Sequence, residues 1–341
     1  MQDLNGSVAV PAPHLIRKTH GGHRRPFGDH VMQRNGIHHV TAIAGPAARN
    51  LAFYTRTLGL RLVKKTVNFD DPGTYHLYYG DEVGRPGTIL TFFPWAHVAR
   101  GQLGIGQTQE TMFRVPAGSL GWWRDRLASV GVVQGTAIER FGETVLPFQD
   151  PDGMPLSLVG VPGAEAAAPW TDGTIPAEHA IRGFHGVSLL QADAAPTGAI
   201  LTDVFGLAEM GREGAVVRFA AGAADPGGIV DIEVSDGFMP GRMGGGSVHH
   251  IAFRAADDAE QARMVERLAR HHSIRTTEQK DRNYFRSVYF REPGGVLFEI
   301  ATDDPGFAAD EAVPSLGTGL KLPPFLERHR AEIEAALPAL G

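Results

Sequence analysis

Val248-His249-His250-Ile251 opens, and Gly294-Gly295-Val296-Leu297-Phe298-Glu299-Ile300 closes, a segment from Ser247 to Thr302 whose pattern occurs three times earlier in the chain. Each copy reads as a strand, a helix and a small meander that turns on proline and glycine. Copy one has a β-branched strand at Ile37–Ala44, a helix at Ala48–Thr57 ended by Gly59, strands at Leu60–Asn68 and Tyr75–Gly80, and a Pro86-Gly87 turn before Thr88–Phe93. Copy two starts at Thr108–Val115, has Ser119 as the expected N-cap of a helix over Leu120–Val130, and turns at Pro151-Asp152-Gly153 before Met154–Val159. Copy three starts at Gly183–Leu190, has a helix near Thr197–Phe205 ended by Gly206, and turns at Pro226-Gly227-Gly228 before Ile229–Val234. In copy four, Asp257 and Glu260 make a capping box for a helix through Arg270, and the turn is Pro293-Gly294-Gly295. One such turn carries no information. Four, each a similar distance after a helix, imply four βαβββ modules. The fold class is α+β, with modules curled into two half-barrel domains that each have a concave face.

The modules group as residues 35–161 and 181–304, joined by a linker at 162–180 that includes the Ala/Pro/Gly-rich run Pro162–Ile175. Residues 305–341 form a tail in which Phe325, Leu326, Ile333 and Leu337 fall near one face of an amphipathic helix. Residues 1–34 are rich in His, Arg, Gly and Pro and are expected to be a mobile arm, with Met32 as an alternative start. They contain no continuous apolar stretch of the kind a secretory signal needs.

Composition narrows the chemistry. The chain has 341 residues, 43% hydrophobic and 21% charged, with a net charge of -6. These values describe an ordinary globular protein without the basic footprint of a nucleic-acid binder. No apolar run reaches the ~18 residues of a membrane span. There is no cysteine, so disulfides, thiolate ligands and a cysteine nucleophile are excluded. A cytoplasmic location is expected. A bound metal would have to use His, Asp or Glu.

Differences between copies point to where that metal would sit. With the hairpins aligned on their prolines, the position of Glu299 is filled by Phe92, Ser157 and Ile232 in the other copies, so only copy four places a carboxylate there. A carboxylate in a half-buried strand is costly unless a positive partner meets it. With the opening strands aligned, copy four has His249-His250 where copy one has His38-His39, while copy three has His185-Gly186. Neighbouring strand residues point to opposite faces, so one histidine of each pair should face inward. Two imidazoles and one carboxylate form a facial triad with open positions, which suits Fe(II) or Mn(II) better than closed four-ligand zinc.

At this point the chain resembles a known family. The repeat and its His, His and Glu residues resemble the vicinal oxygen chelate superfamily, giving glyoxalase-like half-barrels. More narrowly, residues from about Gly36 to Leu340 resemble ring-cleaving dioxygenases that open hydroquinones and chlorinated hydroquinones. The carrying stretches are Gly36-Ile37-His38-His39-Val40-Thr41, Val67-Asn68-Phe69-Asp70-Asp71-Pro72, Tyr75-His76-Leu77-Tyr78-Tyr79-Gly80-Asp81, Gly87-Thr88-Ile89-Leu90-Thr91-Phe92-Phe93-Pro94 and Leu322-Pro323-Pro324-Phe325-Leu326. The resemblance implies a site spanning copies one and four. It implies His39, His250 and Glu299 as ligands of Fe(II), with Mn(II) as the alternative, and His38, Thr41, His249, Arg282 and Tyr289 around them as catalytic residues. Counting outward from the Pro293 turn independently brings Tyr289 opposite Glu299. His76 stays open between a core and a site role.

The implied activity is extradiol-type cleavage of hydroquinone or a substituted hydroquinone by dioxygen. The expected partners are a small aromatic substrate and dioxygen, with no nucleic acid or membrane, and self-association is left open. Three alternatives share the fold: a catechol-cleaving dioxygenase, a redox-silent isomerase or lyase, and a metal-free binding protein.

Overall fold

The structure is a computed structural model that describes residues 36–222, 226–237 and 239–340, so the expected N-terminal arm lies outside the described residues. Within them the chain repeats one order of elements four times. Module one consists of β1 (Ile37–Ala44), α1 (Ala47–Ala52), β2 (Arg61–Asn68), β3 (Asp71–Gly80) and β4 (Ile89–Pro94). Module two consists of β5 (Gln107–Pro116), α2 (Leu120–Ser129), β6 (Ile138–Arg140), β7 (Glu143–Gln149) and β8 (Pro155–Val161). Module three runs through β9 (Phe184–Gln191), α3 (Ala195–Asp203), β10 (Ala208–Glu213), β11 (Val216–Ala220) and β12 (Ile229–Val234). Module four runs through β13 (Ser247–Ala255), α4 (Asp258–His272), β14 (Lys280–Asp281), β15 (Arg286–Arg291) and β16 (Leu297–Thr302). No helix among the described residues is long and apolar enough to cross a membrane.

Local chemistry explains where the helices begin and end. The N-cap forms, with Asp257 Oδ1 accepting from Glu260 N at 2.8 Å, but Glu260 Oε2 reaches one residue beyond the N-cap, to Ala256 N at 2.7 Å, rather than closing the box on Asp257 N. Ser119 does not cap α2. Its hydroxyl donates instead to Glu178 O at 3.0 Å, fastening the linker to this module. The first helix is α-helical only to Ala52 and continues as a π turn over Phe53–Thr57. In the tail, the expected long helix reduces to α5 (Arg330–Ala336), with Ile333 buried and Phe325 58% exposed.

Two eight-stranded sheets result, ordered β14-β15-β16-β13-β1-β4-β3-β2 and β10-β11-β12-β9-β5-β8-β7-β6. They do not follow the sequential grouping into 35–161 and 181–304. The antiparallel β1–β13 pair joins module one to module four, and the β5–β9 pair joins module two to module three. The chain reaches this arrangement by crossing over. The segments after β4 and after β12 run beside each other, with Gln102 N donating to Arg242 O and Arg242 N to Gln102 O, both at 2.8 Å. A seam of hairpins links the two sheets. Gly87, at φ +87°, lies so close to the module-three turn that a Cβ there would meet Pro226 O at 2.6 Å. Phe184 N donates to Gly87 O, and Ile37 N to Gly227 O.

Carboxylates just before two hairpin prolines tie neighbouring modules together. Asp150 accepts from Asp152 N and Met154 N, both at 2.8 Å, and from the Tyr54 hydroxyl of module one at 3.0 Å. Glu292 accepts from Gly294 N and Val296 N, both at 2.7 Å, and from Thr197 and Gln191 of module three. The tail packs on the first sheet, where fully buried Lys64 pairs with Asp310 at 2.6 Å and Glu311 at 2.8 Å.

Candidate metal centre

Register brings three side chains to one place. His39 on β1 pairs with Ala252 on β13, which pairs with Glu299 on β16. Residues of one rung share a face, and His250 lies two residues from Ala252, so it shares that face as well. Potential ligand atoms of His39, His250 and Glu299 all lie within 4.8 Å of one another, and no other such group occurs among the described residues. His39 Nε2 is 3.4 Å and His250 Nε2 3.0 Å from Glu299 Oε2. All three residues are buried.

The donor set can be tested for fit. Glu299 Oε1 accepts from the Ser287 hydroxyl, whereas Oε2, although it faces both imidazoles, accepts no hydrogen bond. Such an orphaned buried carboxylate oxygen is costly unless a cation meets it. Burial acts to raise the pKa of Glu299, but His39 and His250, when they carry a proton toward it, outweigh burial and hold the group well below the usual carboxylate range. His250 is itself pushed down by burial, against the opposing pull of Glu299. Two nitrogens and an anionic oxygen therefore converge, and they fit a divalent ion with further positions open.

The first histidine of each pair has a distinct place. His38 Nδ1 lies 2.9 Å from His39 Nδ1, and His249 Nδ1 lies 2.7 Å from His250 Nδ1. For Nε2 of His39 and His250 to offer lone pairs to a metal, their protons must sit on Nδ1. His38 and His249 are then the acceptors that fix those tautomers, the usual arrangement behind metal-bound imidazoles.

A cavity of about 300 Å³ opens above the three residues. Of the five surrounding residues expected from sequence, His249, Arg282 and Tyr289 line it, while His38 and Thr41 do not. Tyr289 pairs directly with Glu299, and Arg282 Nε donates to the Tyr289 hydroxyl at 3.3 Å. Burial raises the Tyr289 phenol, with Glu299 adding to the effect, so it stays protonated at neutral pH. His38 is buried behind His39 with its ring against Phe285, and Thr41 accepts from Thr91 at 3.0 Å. His76 and Tyr78 do line the cavity, as do Phe93 and Trp95. Sequence reading missed Ser287 and Tyr78 as site residues. The strand alternation running from Tyr289 and from His76 was the available signal.

One sequence comparison needs correction. Ladder register, not the proline, defines equivalent positions. Ala252, two residues after His250, pairs with Glu299, while Ser188, two after Gly186, pairs with Asp231. Thr41, two after His39, pairs with Thr91. Glu299 is the sixth residue after Pro293, but Asp231 is the fifth after Pro226, so the proline alignment slipped by one. Copy three therefore does carry a carboxylate at this position. Asp231 is held at both oxygens by Arg218, at 2.8 and 2.9 Å, and Arg218 also reaches Glu143 at 2.6 Å. Where the first half-barrel presents two imidazoles to its carboxylate, the second presents a guanidinium.

A half-barrel of paired βαβββ modules with two histidines and a glutamate on its concave face defines the metal-dependent class of vicinal oxygen chelate proteins. The family model described as Glyoxalase/Bleomycin resistance protein/Dioxygenase superfamily matches residues 36–158 and 166–300, and the chain belongs to this superfamily. Among its relatives, a Bacillus subtilis protein named as the ring-cleaving dioxygenase MhqO is 48% identical, over 89% of this chain and 95% of that protein. The chlorohydroquinone/hydroquinone 1,2-dioxygenase of Sphingobium indicum is 35% identical, over 87% of this chain and 94% of that protein. A crystal structure of a Bacillus subtilis protein named as a dioxygenase matches with a TM-score of 0.86 at 47% identity, over 90% of this chain and 97% of that one. Glyoxalase I from Zea mays, at 13% identity and a TM-score of 0.61 over 79% of this chain and 92% of that one, shares the fold.

Proposed function

We propose that this protein is an Fe(II)-dependent extradiol-type dioxygenase that cleaves the ring of hydroquinone or a substituted hydroquinone. The observation that carries the reading is the convergence of His39 Nε2, His250 Nε2 and the orphaned Glu299 Oε2 beneath an aromatic-walled cavity. The names of the relatives supply the substrate class. Iron held by these three residues would supply a redox relay between an electron-rich ring and dioxygen, with Mn(II) as the alternative ion.

The chain's own residues supply position and protons. Phe93 and Trp95 line one part of the cavity as flat apolar surfaces for a ring. Arg282 donates to the Tyr289 oxygen, which leaves the Tyr289 proton free to be given to an oxygen atom of the bound reactants. With His250 Nε2 turned to a metal, His249 accepts at Nδ1 from His250 at 2.7 Å and in its neutral form carries its proton on Nε2. It acts as a donor and not as the base that removes a substrate proton. His38 does not line the cavity, and it acts through His39.

A redox-silent isomerase is less well supported, because such sites usually add a second carboxylate and the cluster here holds one. The test is oxygen uptake by anaerobically purified, Fe(II)-loaded protein across a panel of hydroquinones and catechols. Uptake with hydroquinones supports the assignment. Uptake with catechols alone moves it to the catechol-cleaving reading, and no uptake across the panel ends it.

A further inference from the structure

We infer that Tyr78, backed by a hydrogen-bonded chain through His76, Thr91 and Thr41, receives the second hydroxyl of a 1,4-diphenol. The inference rests on the hydroquinone reading above and adds a residue that selects the position of the second hydroxyl.

The chain crosses three strands. The Tyr78 hydroxyl lies 2.8 Å from His76 Nδ1, His76 Nε2 lies 2.7 Å from Thr91 Oγ1, and Thr91 Oγ1 donates to Thr41 Oγ1 at 3.0 Å. Its polarity follows from counting protons. With the Thr91 hydrogen directed to Thr41, Thr91 accepts from His76 Nε2–H. A neutral imidazole has a single N–H, which leaves Nδ1 as an acceptor and makes Tyr78 the donor. Burial pushes His76 well below its ordinary pKa and raises the Tyr78 phenol, in agreement with both being neutral. With its proton committed to His76, the Tyr78 oxygen offers only lone pairs to the cavity that it lines. It is a built acceptor, and its complement is a ligand hydroxyl.

Its location selects which hydroxyl. Tyr78, Thr91, Thr41 and His250 form one continuous rung across β3, β4, β1 and β13. Rung partners face the same side, so Tyr78 and His250 look into the concave space from different strands of the curl. A ring with one oxygen at the His39–His250–Glu299 cluster and another at its opposite end can reach Tyr78. A 1,2-diphenol, whose hydroxyls are adjacent, places both at the cluster and leaves Tyr78 without a partner.

The experiment is anaerobic binding to metal-loaded wild type and Tyr78→Phe, using hydroquinone, catechol and 4-methylphenol, which replaces the distal hydroxyl by a methyl group. Tyr78→Phe should weaken hydroquinone about tenfold, the loss of roughly one hydrogen bond. Binding of 4-methylphenol and catechol should not change. Equal weakening of all three would show a packing role, and no change with hydroquinone would show that Tyr78 does not touch it. Either result overturns the inference, as does a wild type that does not bind hydroquinone. Because no oxygen is present, the outcome is separate from turnover. The expected binding pattern without oxygen uptake would retain the Tyr78 assignment and remove the dioxygenase reading. Oxygen uptake without that pattern would do the reverse.

Discussion

Arg218 grips both oxygens of Asp231, at 2.8 and 2.9 Å, in the register that Tyr289 and Glu299 occupy in the other half-barrel. One buried carboxylate is thus neutralised by a side chain, while its counterpart faces two imidazole nitrogens that suit a metal. The same physical requirement, a positive partner for an anion removed from water, is met in two ways on one repeated scaffold.

Replacing Arg218 by leucine leaves Asp231 buried without its partner. The expected cost is about 3–5 kcal/mol of folding stability, the usual effect of breaking a buried pair from one side. Denaturant unfolding would measure it. Metal content at equal folded fraction should match wild type, and a reduced metal content would show that the two half-barrels are coupled.

On the proposed reading, Glu299→Gln should abolish stoichiometric metal binding, since it would remove the anionic member of the His39–His250–Glu299 group and place an amide among buried imidazoles. Ser157→Ala is the matching control. Ser157 is buried and its hydroxyl has no hydrogen-bond partner, so the change should leave both stability and metal content nearly unaltered. Elemental analysis of the two purified variants would distinguish them.

His249→Phe keeps a ring in place but removes the acceptor for His250 Nδ1. Loss of such an orienting partner typically weakens metal affinity about 10–100-fold. Competition with a chelator of known affinity would read the change. An unaltered affinity would show that His250 is oriented by other contacts.

Asp150 should make stability depend on pH. Burial raises its pKa to about 6 despite the hydrogen bonds that it accepts. A carboxyl raised on folding holds its proton more tightly in the folded state. Its contribution is therefore most favourable below the unfolded pKa near 4, and it is lost as pH rises through about 6. The span is up to about 3 kcal/mol. Urea midpoints between pH 4 and 7 should fall more for wild type than for Asp150→Asn, and parallel curves for the two proteins would contradict this.

How much was legible in the sequence varies with the range of the interaction. The four modules could be read because their signals are local: alternating strands, capped helices and glycines where the backbone turns with positive φ, as at Gly87 and Gly295. The Tyr289–Glu299 pairing could be counted because a single hairpin fixes it. Arg282 and His249 came from resemblance, and their positions in the cavity wall have no signature in spacing alone.

The pairing of modules was a different matter. Nothing near Ile37 or Ser247 in the chain states that β1 lies against β13 rather than a sequential neighbour, because backbone hydrogen bonds carry no sequence label. Register was equally hidden. A slip of one residue moves a side chain to the other face, so a hairpin one residue shorter made Ile232, not Asp231, appear equivalent to Glu299. By itself the sequence determined the repeat, the α+β class and the candidate ligands. Only the tertiary structure decided which modules share a sheet, that His38 and His249 lie within 2.9 and 2.7 Å of the imidazoles beside them, and that Tyr78 lines the cavity against His76, because each depends on how strands far apart in the chain are brought together.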